Sequence, residues 1–285
     1  MAAAIYSIFG VGIVQLWLAA IAAIAYLRGP DNNRLLRVSV WVATGALLSL
    51  AAAFTLRFAQ YQVVPLASGA DSILLFCIMA TATAISVSCQ VRFRALLGFY
   101  LPPLALLGGV CAALAVKDFS RAPSSIEVSQ ALLVIHVGLA FQAYALFSIA
   151  SLTSVAYLFQ ARRLKLRRTT GLFQKLPSLE NLDRTLHLLI MVGYPIFVVT
   201  LLMGLFWARF VADTLSPTWW YSPKIVLSFV MVCFYAASFH SRSLGLLRGP
   251  KLAYFVFIGF GLLLGVYLLL EMLRLTNYNF WGAGA

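Results

Sequence analysis

Charge is what this chain has least of. Of its 285 residues, 10% are Asp, Glu, Lys or Arg, against about 25% in a soluble globular protein. Acids are scarcer than bases, 8 against 21. So little charge excludes an ordinary water-soluble domain. Cysteine is also sparse. Cys77, Cys89, Cys111 and Cys233 include no CxxC pair, which excludes a thioredoxin-like or zinc-ribbon centre and leaves them as buried structural thiols. The chain has no Gly-rich phosphate loop, no HExxH pair, no serine-nucleophile motif and no internal repeat.

What it has is long apolar runs. Hydrophobic residues make up 62% of the chain, and mean hydropathy is +0.94. A run of about 18 or more apolar residues is long enough to cross the hydrocarbon core of a bilayer. There every backbone N–H and C=O must be satisfied internally, so the options are helices or closed barrels. Barrel strands would be short and alternating; these runs are long and apolar on all faces. The fold class expected is therefore all-α, a polytopic membrane helix bundle of about eight transmembrane helices. The spans expected are Ile5–Leu27, Val38–Leu56, Ser72–Val91, Leu96–Val116, Gln130–Ala161, Thr185–Ala208, Ile225–His240 and Leu252–Leu270. The fifth exceeds what a bilayer needs, so it should tilt, protrude or break near one end. Pro102 and Pro103 should interrupt the fourth span and Pro195 the sixth.

Orientation follows from the basic residues. No charge precedes the first apolar run, which is too long for a signal peptide, and Arg28, Arg34 and Arg37 follow it. With both termini outside, Arg57, Lys117, Arg121, Arg209, Lys224 and Arg274 face outward, leaving 15 of the 21 bases on the cytoplasmic side. That is the positive-inside asymmetry. A net charge of +13 could suggest nucleic acid, but the densest basic run, Arg162–Arg168, abuts a membrane helix. Attraction to anionic lipid headgroups accounts for it, and no nucleic-acid partner is expected.

Polar groups at membrane depth are costly, so each is a candidate site. His136 lies near the outer start of the fifth span. His187 stands at the inner start of the sixth, and His240 closes the seventh on the same side. Imidazole is a common haem-iron ligand; an interfacial histidine bonded to backbone or lipid is the plain alternative. His187 and His240 share a depth on separate helices, as two axial ligands would. Trp219, Trp220 and Tyr221 cluster on the outer side, with Tyr278, Phe280 and Trp281 beyond. They read as an interfacial aromatic belt or as a flat platform for a porphyrin edge.

Three stretches resemble a known family. From His136, HVGLAFQAYALFSIASLTSVAYLFQARRLK looks like the histidine-led helix of the cytochrome c assembly family of haem-handling membrane proteins. LPSLENLDRTLHLLIMVGYPIFVVTLLMGLFWA, Leu176 to Ala208, resembles its next helix. SPKIVLSFVMVCFYAASFHSRSLGLLRGPKLAYFVFIGF, Ser222 to Phe260, resembles the segment after its tryptophan-rich loop. The likeness covers about residues 130–275 and is closest to the small HemX-like members. Residues 1–127 then form four less characteristic spans, and 128–285 the family-like region of a single membrane domain.

The resemblance implies a haem held on the outer face between two histidines, against a loop reading W-x-W-D-P-K-E. It implies a further histidine at the inner end of the next helix, where haem is taken up. His136 matches the first outer histidine and His240 the inner one. Trp219 matches the first tryptophan, and Pro223 and Lys224 the P-K pair. Tyr221 stands in place of the second tryptophan, Ser222 of the aspartate and Ile225 of the glutamate. The place of the second outer histidine falls near Tyr278, and tyrosinate can also ligate haem iron. His187 matches no family ligand and rests on its depth alone.

The function expected is haem binding or handling in a bacterial cytoplasmic (inner) membrane, serving cytochrome c assembly or haem supply. It would work by relay rather than as an enzyme. The cofactor expected is b-type haem, held non-covalently: His187 and His240 inside; His136 outside, with Trp219, Trp220, Tyr221 and Tyr278 around it. Metal enters only as haem iron. The partners expected are haem, membrane lipids and other cytochrome c assembly or haem-synthesis proteins. Two other readings stand: a structural or regulatory membrane subunit acting through its basic cytoplasmic loop, and a small-solute or ion transporter. The topology is directly testable. Reporters fused to either terminus should be active only on the outer side, and cytoplasmic activity at both ends would overturn the orientation.

Overall fold

The computed structural model describes residues 2–29, 32–61, 69–119, 130–167, 172–210, 223–241, 244–245 and 247–272. Every regular element among them is a helix. They are α1 (Ala2–Arg28), α2 (Asn33–Tyr61), α3 (Gly69–Val87), α4 (Leu97–Asp118), α5 (Gln130–Lys165), α6 (Leu172–Lys175), α7 (Leu179–Phe210), α8 (Pro223–Phe239) and α9 (Pro250–Met272), and a 3₁₀ turn at Val91–Leu96 leads into α4. Among the described residues six helices are long and apolar enough to cross a membrane, and α8 and α9 are apolar but shorter in their described parts. The chain is a multi-pass helical membrane protein. Its large side chains are exposed where water would punish them: Trp41 is 75% exposed and Leu48 65%. Such faces are the surface that lipid tails cover.

α5 is one unbroken helix of 36 residues, about 54 Å at 1.5 Å per residue. The break allowed for from its length does not occur, which leaves tilt or protrusion. Pro102 and Pro103 lie inside α4 and Pro195 inside α7. Both helices continue through them, each proline removing one i→i−4 hydrogen bond. Of the cysteines, Cys77 and Cys111 are buried, whereas Cys89 and Cys233 are exposed, so burial of all four is corrected. Cys89 follows the end of α3 and Cys233 sits on an outward face of α8.

The chain divides into two compact units. The first comprises Met1–Glu127 and Ala156–Thr185. Lipid gives no hydrophobic drive for helix association, so close approach of small residues and hydroxyl bonds between helices must hold it. Gly12 of α1 meets α2 so closely that a Cβ there would lie 2.9 Å from Leu50 Cδ2 and 3.2 Å from Leu50 N. The Ser39 hydroxyl donates across the same pair to Ala19 O at 3.0 Å, and Ser49 to Gln15 Oε1 at 3.0 Å. Phe9, Ile13, Leu50, Leu74, Cys77, Cys111 and Phe119 form the core beside them.

Two cations are drawn into this unit. Arg57 and Asp71, expected in the outer loop, lie inside α2 and α3 and are 2% and 0% exposed. Arg57 Nε and Nη2 donate to Asp71 Oδ1 and Oδ2 at 2.8 and 3.2 Å, and Nη1 donates to Phe119 O at 3.0 Å. The guanidinium also sits 4.4 Å from the Phe119 ring centroid. Asp71 occupies the first turn of α3, where the helix dipole favours a negative charge. Fork-to-fork pairing satisfies both ions, and so α2 and α3 extend past the span limits that charge alone suggests. On the other cation, Lys175 Nζ donates to Tyr26 O and Gly29 O at 2.6 Å each. It thereby caps the orphan carbonyls at the end of α1. Gln160 Nε2 donates to Pro177 O at 3.1 Å, tying down the same connection.

The second unit comprises Val128–Val155 and Leu186–Ala285. Its core is aromatic. Phe147 of α5 stacks on Tyr235 of α8, with centroids 3.7 Å apart and planes at 7°, and meets Phe197 of α7 edge-on at 5.7 Å. Phe234 stacks on Phe255 of α9 at 4.0 Å.

The buried ion pair generates a test. Removing one partner strands the other charge away from water, which costs about 3–5 kcal/mol. Arg57→Ala should therefore lower the midpoint of thermal unfolding in mild detergent sharply. Arg57→Met combined with Asp71→Leu should recover most of the loss, because it leaves no buried charge. Equal loss in the single and double variants would contradict a purely electrostatic lock.

Candidate functional site

His136 is carried by α5, six residues after its start at Gln130, about 9 Å along the axis. The ring is half-buried and closes on α7 by its Cε1 edge at Gly204. A Cβ on that glycine would lie 2.8 Å from Cε1, 3.5 Å from Nδ1 and 3.6 Å from Nε2. The approach needs glycine because no side chain fits between ring and helix. His136 Nδ1 is buried and makes no hydrogen bond within ordinary geometric limits, although the Thr200 backbone carbonyl, one turn before Gly204, acts on the ring. An orphaned buried nitrogen of this kind asks for an explanation.

His240 follows the last residue of α8, is exposed, and its backbone N–H donates to Ala236 O at 2.9 Å. Its ring meets Phe239 edge-on at 5.0 Å and 82°, and Phe239 packs at 5.0 Å on Tyr194 of α7. His187 stands on α7 two turns before Tyr194, hence on the same helical face, and is half-buried. Because α7 begins at Leu179 rather than near Thr185, His187 is eight residues into its helix, about 12 Å from the start. The aromatic row thus ties the His240 end of α8 to the face of α7 that carries His187. Among the described residues no three His, Cys, Asp or Glu side chains gather to hold a metal ion by themselves. Trp219, Trp220, Tyr221 and Tyr278 lie outside the described residues.

A family model described as cytochrome C assembly protein matches residues 38–276. The chain belongs to the cytochrome c assembly protein family. Protein HemX of Bacillus subtilis is 30% identical over 145 residues, 49% of this chain and 51% of that protein. Protein HemX of Brevibacillus brevis is 33% identical over 122 residues, 43% of each chain. The match therefore spans about half the length of these relatives. The cytochrome c biogenesis protein CcsA of Thermosynechococcus vestitus is 23% identical over 274 residues, 83% of this chain and 84% of that one. No solved structure matches the chain. The family match begins at Val38, so it takes in most of the first four helices, which the sequence likens to the family only in general character.

Two features went unread in the sequence. The Arg57–Asp71 pair could have been suspected from opposite charges flanking one short connection. The pairing of His136 with Gly204 carries no local signal, since 68 positions separate them. It yields a test. Gly204→Ala should displace the His136 ring and raise its modification by diethyl pyrocarbonate several-fold, read by mass spectrometry. Gly261→Ala, where an added Cβ meets nothing within 4 Å, should leave it unchanged. Equal labelling in both variants would show that Gly204 does not hold the ring.

Proposed function

We propose that this protein binds b-type haem without covalent attachment and hands it on across a bacterial cytoplasmic membrane, in cytochrome c assembly or haem supply. The observation that carries the reading is His136: a membrane-embedded imidazole held flush against a glycine, with a buried nitrogen that the chain leaves without a well-formed hydrogen bond. An imidazole held in this way would suit haem iron as a ligand. Membership of the cytochrome c assembly family, and the names of the CcsA and HemX relatives, support it.

Each residue has a task in this reading. His240, exposed at the end of α8, is placed for uptake from the cytoplasmic side. The Tyr194–Phe239 contact sets the end of α8 against α7, and His187 on that face is the second inner ligand. His136 receives on the outer side, with Trp219, Trp220, Tyr221 and Tyr278 assigned to cover and oppose it. Haem, when bound, would supply a Lewis-acidic iron and a flat apolar ring; the chain's own residues would bind it, orient it and exclude water. No covalent step is assigned to the chain.

A regulatory or structural role has one observation in its favour. Arg162, Lys165 and Arg167 are exposed at the end of α5 together with Leu164 and Leu166, 48% and 54% exposed, a surface open to a protein partner or to lipid.

Absorbance separates the readings. Protein purified in mild detergent from haem-replete cells should show a Soret band, lost or strongly reduced in His136→Ala and altered in spin state in His187→Ala or His240→Ala. A colourless protein that also fails to take up added haem would overturn the proposal and leave the regulatory reading.

A further inference from the structure

Buried hydroxyl groups in membrane helices usually turn back onto their own helix. In the second unit Ser148 donates to Ala145 O, Thr153 to Ile149 O, Ser154 to Ala150 O and Thr200 to Ile196 O, at 2.7 to 3.0 Å. The face of α8 behaves otherwise. Tyr235, Ser238 and the adjoining Ser241 follow one another at a spacing of three, and all are 0% exposed. None of their hydroxyls has a hydrogen-bond partner. The two serines do not make the bond back to a preceding carbonyl that Ser148 and Thr153 make. The Tyr235 ring lies flat against Phe147 at 3.7 Å, and its hydroxyl is unpaired as well. In the first unit Thr81 and Ser88 on and after α3 are also unsatisfied, but they stand two turns apart with no aromatic hydroxyl between.

Three orphaned hydroxyls at a spacing of three, two on α8 and one just past its end, are too costly to stand unsatisfied in a low-dielectric core. The ligand that suits them is small and both donates and accepts. Water meets that description and commonly satisfies buried polar groups of this kind, making two to four hydrogen bonds at each position. The row ends next in sequence to His240, the exposed residue just past α8. We infer that the Tyr235–Ser238–Ser241 face of α8 is an internal water-binding site, a file of ordered waters running from the His240 end into the aromatic core as far as Tyr235. It does not depend on haem. It hydrates one face of α8 while the opposite faces stay apolar, and it gives Tyr235 access to exchangeable solvent from inside the core.

X-ray hydroxyl-radical footprinting of the full chain in lipid nanodiscs tests this, because ordered water beside a side chain generates the radical in place. Tyr100 is the dry control, a tyrosine equally buried at 0% exposure. Tyr235 should be oxidised several-fold faster than Tyr100. In Ser238→Ala, or in Ser241→Ala if the first variant does not fold, Tyr235 should fall back towards Tyr100. Oxidation of wild-type Tyr235 as slow as that of Tyr100 would overturn the inference. So would fast oxidation unchanged in the serine variants, since water would then reach the ring by another way.

Discussion

Lipid offers no hydrogen bonds, and every part of this structure answers to that. The constraint forces the backbone into helices and leaves each polar side chain three choices: to turn onto its own helix, to find a partner on another, or to bind something that is not protein. The hydroxyls of α5 and α7 take the first. Arg57, Asp71, Ser39 and Ser49 take the second. His136, Tyr235, Ser238 and Ser241 take neither in full. Where the first two options fail, a ligand is the physical expectation.

The first unit shows what the second option achieves. Bringing a guanidinium and a carboxylate to near-zero exposure is tolerable only if every strong donor and acceptor is met. Here one fork meets the carboxylate, a third nitrogen meets Phe119 O, and a ring covers the cation. The arrangement links the ends of α2 and α3 to Phe119, just past the end of α4. Lys175 does the same for α1 and the short α6. Basic residues counted for orientation are thus of two kinds. Arg162, Lys165 and Arg167 are exposed and free to act through charge, whereas Arg57 and Lys175 are fixed structural donors.

Much of the fold was legible in the sequence because the signal is local: an apolar run without charge is a membrane helix wherever it occurs. The helix ends were less legible, since charges were read as span limits. Arg57 and Asp71 are neutralised by each other across 14 positions, which no single-residue rule detects. Likewise α7 starts at Leu179, before Arg184, because its first turns need not be apolar where they stand clear of the hydrocarbon. The histidines could be picked out from their rarity and depth. What distinguishes them from one another could not: one is pressed on a glycine 68 positions away, another is exposed at a helix end.

That difference between histidines bears on direction. A ligand waiting for cargo from solution must be reachable, and its helix end can give way; a ligand that retains cargo should be rigid and shielded. His240 is exposed after the last turn of α8, its ring set edge-on against Phe239. His136 is set within α5 and backed by α7, where Gly204 leaves no freedom to tilt towards the helix. In the proposed relay, handing over between two such sites would run downhill without any covalent step, because a shielded imidazole loses less to competing water than an exposed one. The asymmetry of the two environments, rather than any motif, is therefore the physical support for the proposed relay from the His240 side to the His136 side.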